Sequence, residues 1–178
     1  MTVEKILKAV TELVGAEGVT VGDGTSRDEV MLVRCLNMIL QEIAEEYVDF
    51  VRIREARISG GKIAFSELQG SVRRVKSVLV NGIKRSFTCD EDGIYLGMSD
   101  GLAKVTYVYV PDEVRFDSVL SLPKSISERA LVYGTASEYC LMKEMYEECV
   151  NLNSRYVRSI TACARVRREI RVKKRSWL

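Results

Sequence analysis

Residues 145–178 read MYEECVNLNSRYVRSITACARVRREIRVKKRSWL, and this stretch decides how the rest of the chain must be arranged. Apolar side chains recur in its first two thirds at spacings of four, three, four, four and three residues: Met145, Cys149, Leu152, Tyr156, Ile160 and Cys163. This spacing predicts an α-helix with one apolar face, running to about Arg168. Such a helix is on the order of 36 Å long and needs apolar cover along one side.

The helix leads into a basic tail. Residues 165–178 contain seven cations and one carboxylate, a local net charge of +6, which leaves −4 for residues 1–164 because the whole chain is +2. Clustered cations followed by a large apolar side chain are typical of a segment that becomes ordered on a partner. The candidate docking residues are Arg165, Arg167, Arg168, Arg171, Lys173, Lys174, Arg175, Trp177 and Leu178. An acidic groove on a protein, the phosphates of DNA, or solvent alone would each suit this composition.

Another helix is predicted before a break at residues 143–144. Its start signals are Pro123 and then Ser125 or Ser127. Gly134 is one of several small residues in its middle, which costs helix propensity but suits the close approach of a neighbouring element.

Two further helices are predicted at the start of the chain. Apolar residues recur every three or four positions from Val3 to Val14. Ser26 and Glu29 have the spacing of a capping box, in which a hydroxyl and a carboxylate bind backbone amides at a helix start. An apolar seam then follows at helical spacing: Val33, Leu36, Leu40, Ile43, Tyr47 and Phe50.

Short strands are predicted between Val51 and about Phe116. The dipeptide Asn81-Gly82 is the strongest signal for a two-residue hairpin turn. The residues Lys104–Val110 form the clearest strand pattern, and Pro111 ends it. A turn at residues 59–62 is expected to join strands at Val51–Arg54 and Ile63–Phe65 as a hairpin, and further turns are expected at residues 90–93 and 97–101.

The order of these elements predicts an α+β fold. We expect a four-helix core built from both ends of the chain, residues 1–50 and 117–168, because the amphipathic helices at each end need apolar cover. A small antiparallel β module, a sandwich or partly open barrel at residues 51–116, is expected as an insertion. Residues 169–178 form the basic tail.

Several classes of chemistry lack their residues. The chain contains no histidine, which excludes histidine-dependent triads and most zinc hydrolases. Its five cysteines lack metal-knuckle spacing and are interpreted as reduced, half-buried apolar residues. No stretch approaches the ~20 apolar residues of a membrane span, and the first residues lack the pattern of a signal peptide. We therefore expect no cofactor, no metal, no membrane association and no enzymatic activity.

Three features are weaker candidates for chemistry. Gly22-Asp23-Gly24 follows a helix and lacks the lysine of a phosphate-binding loop. The carboxylates Glu42, Glu45, Glu46 and Asp49 are interpreted as the solvated side of a helix. The acidic residues 90–92 have too few oxygen ligands for a calcium loop and are interpreted as a turn.

Taken in order, several segments resemble the head-to-tail connector (adaptor, or head-completion) proteins of tailed bacteriophages. The resemblance covers residues 25–165 and contains no catalytic signature. Its segments are Leu36–Ala44 with Glu46-Tyr47, Val105–Pro111, Tyr133–Cys140, Met145–Glu148 and Asn153–Tyr156.

The resemblance implies a structural protein of the virion neck, assembled in the host cytoplasm. In that family the subunits form a ring, commonly of twelve copies, that lengthens the DNA channel below the portal. The C-terminal segment docks on the portal protein, and the other side offers a platform for a stopper or tail protein. Packaged DNA passes through without sequence-specific binding, and the isolated protein can be a monomer.

Two other function classes remain open from the residues alone. The tail, together with Arg73, Arg74 and Lys76, would suit a nucleic-acid-binding protein, although the strands lack the aromatic and basic interleaving of a stacking platform. A metal-dependent enzyme would need Asp23, the helix carboxylates and the 90–92 turn to meet in one pocket.

Overall fold

The computed structural model describes residues 1–16, 19, 21–22 and 26–165. In these ranges the chain is α+β, with four α-helices and two antiparallel sheets. The helices are α1 (Val3–Leu13), α2 (Arg27–Glu42), α3 (Glu128–Met142) and α4 (Tyr146–Arg165). The strands are β1 (Phe50–Ile58), β2 (Lys62–Ala64), β3 (Ser71–Val80), β4 (Ile83–Arg85), β5 (Phe87–Cys89), β6 (Gly93–Leu96) and β7 (Gly101–Val110).

Ser26 and Ser127 cap their helices as the sequence predicts, whereas Glu29 binds an amide of the preceding loop. The Ser26 hydroxyl accepts a hydrogen bond from the Glu29 N–H at 3.3 Å. The Glu29 carboxylate accepts one from the Gly22 N–H at 3.1 Å, which ties the preceding loop to α2. Ser127 caps α3 by accepting from the Ala130 N–H at 3.2 Å. Each cap satisfies a backbone donor that has no partner inside its helix.

The transition from helix to sheet differs from the predicted seam. Beyond Glu42 the chain forms a π-helical turn, Ile43–Tyr47, and becomes extended at Val48. Phe50, which the seam assigned to the helix, is the first residue of β1 and is 1% exposed. Periodicity alone misplaced it because a buried aromatic residue fits the end of a helix and the start of a strand equally well.

The strand β7 is the centre of the larger sheet, whose order is β1-β7-β3-β4. It pairs with β1 from Phe50↔Tyr109 to Ile58↔Gly101 and with β3 from Ser71↔Val110 to Val80↔Ala103. The predicted Asn81-Gly82 hairpin is confirmed: β3 and β4 pair at Val80↔Ile83, and Asn81 and Gly82 have φ values of 51° and 77°. Two positive φ values in succession are what a type I′ turn requires.

The strand β1 does not form the local hairpin predicted from the turn at residues 59–62. That turn exists, with an isolated bridge between Ser59 and Lys62, but β1 pairs along its whole length with β7. The strand after the turn, β2, belongs to the smaller sheet, of order β2-β6-β5. A turn signal shows where the chain reverses direction, but it does not show which strand pairs with the strand before the turn.

The helix α3 lies between the other helices and packs against α1, α2 and α4. Side chains are buried around most of its circumference, including Leu131, Ala136 and Tyr139. A tight turn with Glu144 at φ 60° separates α3 from α4, as the sequence predicts. The next helix, α4, returns along α3 and buries Leu152, Tyr156, Ile160 and Cys163.

Gly134 lies where three helices meet. A Cβ built on it would lie 3.0 Å from Ile39 Cδ1 on α2 and 3.0 Å from Tyr156 Cδ2 on α4. This distance is below ordinary van der Waals contact, so α2 and α4 can approach α3 this closely only because residue 134 has no side chain. The close approach predicted from small residues in this helix is confirmed here.

The expected four-helix core with a small inserted β module is wrong. Buried residues of both sheets, among them Ile63, Val78 and Tyr107, belong to the same apolar cluster as Leu36 and Leu131 of the helices. The β region is large and central, with seven strands in the described residues rather than a small sandwich or partly open barrel set apart from a helical core. The helical patterns showed that one face of each helix must be buried, but they did not show that side chains of the sheets pack in the same core.

Replacing Gly134 with valine should therefore destabilise the fold. The added side chain meets Ile39 and Tyr156 at once, and overpacking of this kind costs about 2 kcal/mol. Chemical denaturation followed by circular dichroism measures the effect. Gly97→Ala is the matched control, because a Cβ at Gly97 has nothing within 4 Å. Equal stability of the two variants would show that the three helices are not in close contact.

Candidate docking surface and the base of the tail

Most of the predicted docking residues lie outside the described residues: Arg167, Arg168, Arg171, Lys173, Lys174, Arg175, Trp177 and Leu178. Arg165 is the last residue of α4, and its side chain is also outside the description. Their role in docking stays a prediction. What the structure describes is the base from which this segment starts.

That base is a helix fixed on two sides. Along α3, the Ser137 hydroxyl donates to the Cys149 carbonyl at 3.2 Å, and Cys163 Sγ lies 4.0 Å from Ser127 Oγ near the end of α4. Toward α2, the Tyr156 hydroxyl donates to Glu42 Oε1 at 3.0 Å. The Tyr47 ring packs edge-on against the Tyr156 ring, with the ring centroids 6.5 Å apart. Residues up to 165 are therefore held in a defined direction relative to the body.

Two side chains that hold α4 in place, Tyr156 and Glu42, both have raised pKa values. Burial raises the pKa of Tyr156, and the nearby Glu42 charge raises it further. Burial also raises the pKa of Glu42, against the lowering effect of the Tyr156 hydrogen bond, and the charges of Glu46 and Glu138 add to the increase. The contact anchors α4 to the end of α2 and is not by itself a reactive site.

The carboxylates that were considered for catalysis do not converge. Glu42 binds Tyr156, whereas Asp49 Oδ2 accepts from Arg74 Nη2 at 3.1 Å and from Lys76 Nζ at 2.9 Å. In the 90–92 turn, Asp90 Oδ1 accepts from the N–H groups of Asp92 and Gly93, both at 2.9 Å, as in a side-chain-closed turn. Asp23 lies outside the described residues. Among the residues that the structure describes, no three His, Cys, Asp or Glu side chains are grouped to hold a metal ion.

Of the cations that would suit nucleic acid, the three in the described part of the chain, Arg73, Arg74 and Lys76, bind groups of the same chain. Arg73 Nη1 donates to the Ala44 carbonyl at 3.0 Å and also to the Glu45 carbonyl, so it caps the π-helical turn. Arg74 and Lys76 bind Asp49 between that turn and β1. These three side chains join β3 to the end of α2, a role that the sequence did not indicate.

The cysteine interpretation is confirmed in part. All five cysteines are free; Cys35, Cys140 and Cys163 are buried and Cys149 is half-buried, but Cys89 is exposed. Burial raises the pKa of the Cys35 thiol to about 12, so this group is not a nucleophile at neutral pH. Across the described ranges, no helix is both long enough and apolar enough to span a bilayer.

Sequence reasoning missed an exposed apolar face. Tyr146, Val150 and Val157 on α4 are 62%, 66% and 42% exposed. They were overlooked because the stronger stripe of Met145, Cys149 and their successors accounts for the amphipathicity of the helix. The spacing of four and seven residues between the three was the available signal.

Comparison of the chain with protein-family models and with curated proteins found no match.

The Tyr156–Glu42 contact should contribute measurably to stability. Tyr156→Phe removes the hydroxyl and leaves a partly buried Glu42 without this donor, which costs about 1 kcal/mol. Glu42→Gln keeps an acceptor for Tyr156 and is the matched control; its stability at pH 7 should not fall by as much. Urea denaturation at pH 7 compares the variants, and an unchanged Tyr156→Phe would show that the hydrogen bond is not formed.

The raised pKa of Glu42 also sets a pH dependence. The folded chain holds the Glu42 proton to higher pH than the unfolded chain does, so this group's contribution to stability is largest at low pH and is lost as the pH rises through the folded pKa. The loss should start near the usual glutamate value of about 4.3. The unfolding free energy of the wild type, relative to that of Glu42→Gln, should therefore fall as the pH rises from 4 to 7. A difference that is constant with pH would contradict it.

Proposed function

We propose that this protein is a structural adaptor of a bacteriophage neck, a subunit of a ring, of about twelve copies, between the portal and the tail. The ring lengthens the DNA channel, DNA passes through it without sequence-specific contact, and a stopper or tail protein binds its other side. Assembly takes place in the host cytoplasm and the mature location is the virion. Portal docking is assigned to the C-terminal residues 165–178.

The observation that carries the proposal is the position of the basic segment. It follows α4 directly, and α4 is fixed by Tyr156 to α2 and by Ser137 to α3. A fixed α4 puts the start of this segment at the same place in every subunit, as a ring that docks through repeated contacts requires. The segments on which the family resemblance rests fall in α2, β7, α3 and α4, elements that share one apolar cluster.

The charge distribution supports a protein partner. Residues 1–164 have a net charge of −4, and the segment from 165 onward has +6. The net negative charge of residues 1–164 opposes DNA binding by the body, whereas the basic segment suits an acidic groove on the portal. The second candidate, nucleic-acid binding, loses support from the described cations, since Arg73, Arg74 and Lys76 bind groups of the same chain.

Deleting residues 168–178 tests the docking assignment. The truncated protein should keep the unfolding midpoint of the full chain, because it retains every residue that is buried in the described part of the structure. It should no longer join DNA-filled heads in an in vitro assembly assay. As a matched control, Lys84 and Arg85 on β4 are replaced by serine, which removes exposed charge from the body and should leave assembly unchanged. Normal assembly by the truncated chain would show that residues 168–178 are not required for docking.

Salt dependence separates the two candidate functions. If the tail binds DNA, a gel shift should appear at low salt and weaken steeply as salt increases, since several phosphate contacts release counterions. The adaptor proposal predicts no stable shift on duplex DNA of random sequence at 150 mM salt, together with co-sedimentation of the full chain with portal rings. A salt-sensitive DNA complex without portal binding would favour the nucleic-acid function.

A further inference from the structure

The exposed face of α4 carries a second inference, independent of the ring. Tyr146, Val150 and Val157 project within about 40° of one another around the helix axis, at ~100° per residue. Asn153 completes this row, here called the α4 stripe. The buried face, with Leu152, Tyr156 and Ile160, lies about 90° away around the helix. Two of the three apolar side chains of the stripe are more than half exposed, at 62% and 66%.

Charges border the stripe on its solvent side. Glu147 is in the first turn of α4, and Arg158 is eleven residues later, within about 20° of it around the axis. Both are exposed, and in the part of the chain that the structure describes neither forms an ion pair. The stripe therefore has an acid beside one end and a base beside the other.

This arrangement is complementary to itself when two helices run antiparallel. Tyr146 of one copy then lies opposite Val157 of the second, and the two Val150 side chains lie close to the two-fold axis. On the bordering side, Glu147 faces Arg158 of the second copy, and the same pair recurs on the other side of the axis. Antiparallel helix pairs use such contacts between equivalent flanks to set their orientation. A parallel pair would bring opposite flanks of the two helices together and would not form the Glu147–Arg158 pairs.

We propose that the free chain forms a two-fold dimer through antiparallel contact of the α4 stripes of two copies. The contact is isologous, so it closes at two subunits and cannot grow into a chain. One helix face from each copy is a small interface, so the dimer dissociates on dilution at micromolar concentrations. The dimer is a state of the free protein and does not depend on docking to a portal.

Sedimentation velocity of the full-length protein over a hundredfold range of concentration tests the proposal. The wild type should shift from monomer to twice the monomer mass as concentration rises. Val150→Glu should weaken the dimer at least tenfold, because it places two like charges beside the axis. Val30→Glu is the matched control: Val30 is on α2 and is 49% exposed, so the same change there should leave the dimer intact. Circular dichroism verifies that each variant is folded, and Val150→Ser, which should weaken the dimer less strongly, replaces Val150→Glu if that variant unfolds.

Charge reversal identifies the geometry. Glu147→Arg and Arg158→Glu should each weaken the dimer, since each places two like-charged pairs in contact, and the double variant should restore it. A wild type that stays monomeric, a larger assembly, a dimer that Val150→Glu weakens no more than Val30→Glu, or a double variant no stronger than the single ones would each overturn the proposal. Failure of tail docking in the particle assay would leave this result unchanged, so the two proposals fail separately.

Discussion

The missing side chain at Gly134 is the constraint on which the arrangement of the helices depends. Ile39 of α2 and Tyr156 of α4 both come within 3.0 Å of the position that a Cβ would occupy. A larger residue there would separate the two helices from α3 and would break the reach of the Tyr156 hydroxyl to Glu42, which is 3.0 Å away. The direction of α4, and so the place from which the basic segment starts, follows from this contact.

The sheet is joined to the helices by polar contacts as well as by the shared apolar cluster. Arg73 caps the π-helical turn after α2, and Asp49 binds Arg74 and Lys76 of β3. Asn37 of α2 pairs through both side-chain atoms with the backbone of Val114, at 2.8 and 3.0 Å. Movement of the end of α2 relative to β3 would break several of these contacts together.

The sequence predicted features that depend on neighbouring residues. Asn81-Gly82 turns because both residues tolerate positive φ, Ser127 caps because its hydroxyl reaches an amide three residues later, and Gly134 indicated a close approach. The pairing of β1 with β7, some fifty residues away, could not be derived in this way, because local turns do not identify distant ladder partners. The same limit hid the role of Arg73, whose partners are 28 and 29 residues away in the sequence.

The candidate site was predicted only as a composition. The cations and Trp177 of the tail were found from charge clustering, and the structure adds the rigid base beneath them. The α4 stripe was not found, since a pattern shows which residues share a helix face but not which of two apolar faces becomes buried. Tyr146 and Val150 remained exposed because α3 covers the face of α4 that carries Leu152 and Tyr156.

Native-state hydrogen exchange tests most directly whether helices and sheet form one cooperative core. Because buried residues of α3 and β7 belong to one apolar cluster, their slowest amides should exchange with the same opening free energy and respond equally to low denaturant. Gly134→Val should lower both values by the same amount. A shared core is contradicted if the β7 amides have an opening free energy different from that of α3 and if Gly134→Val does not change it. That result would show that the strands form an independent unit.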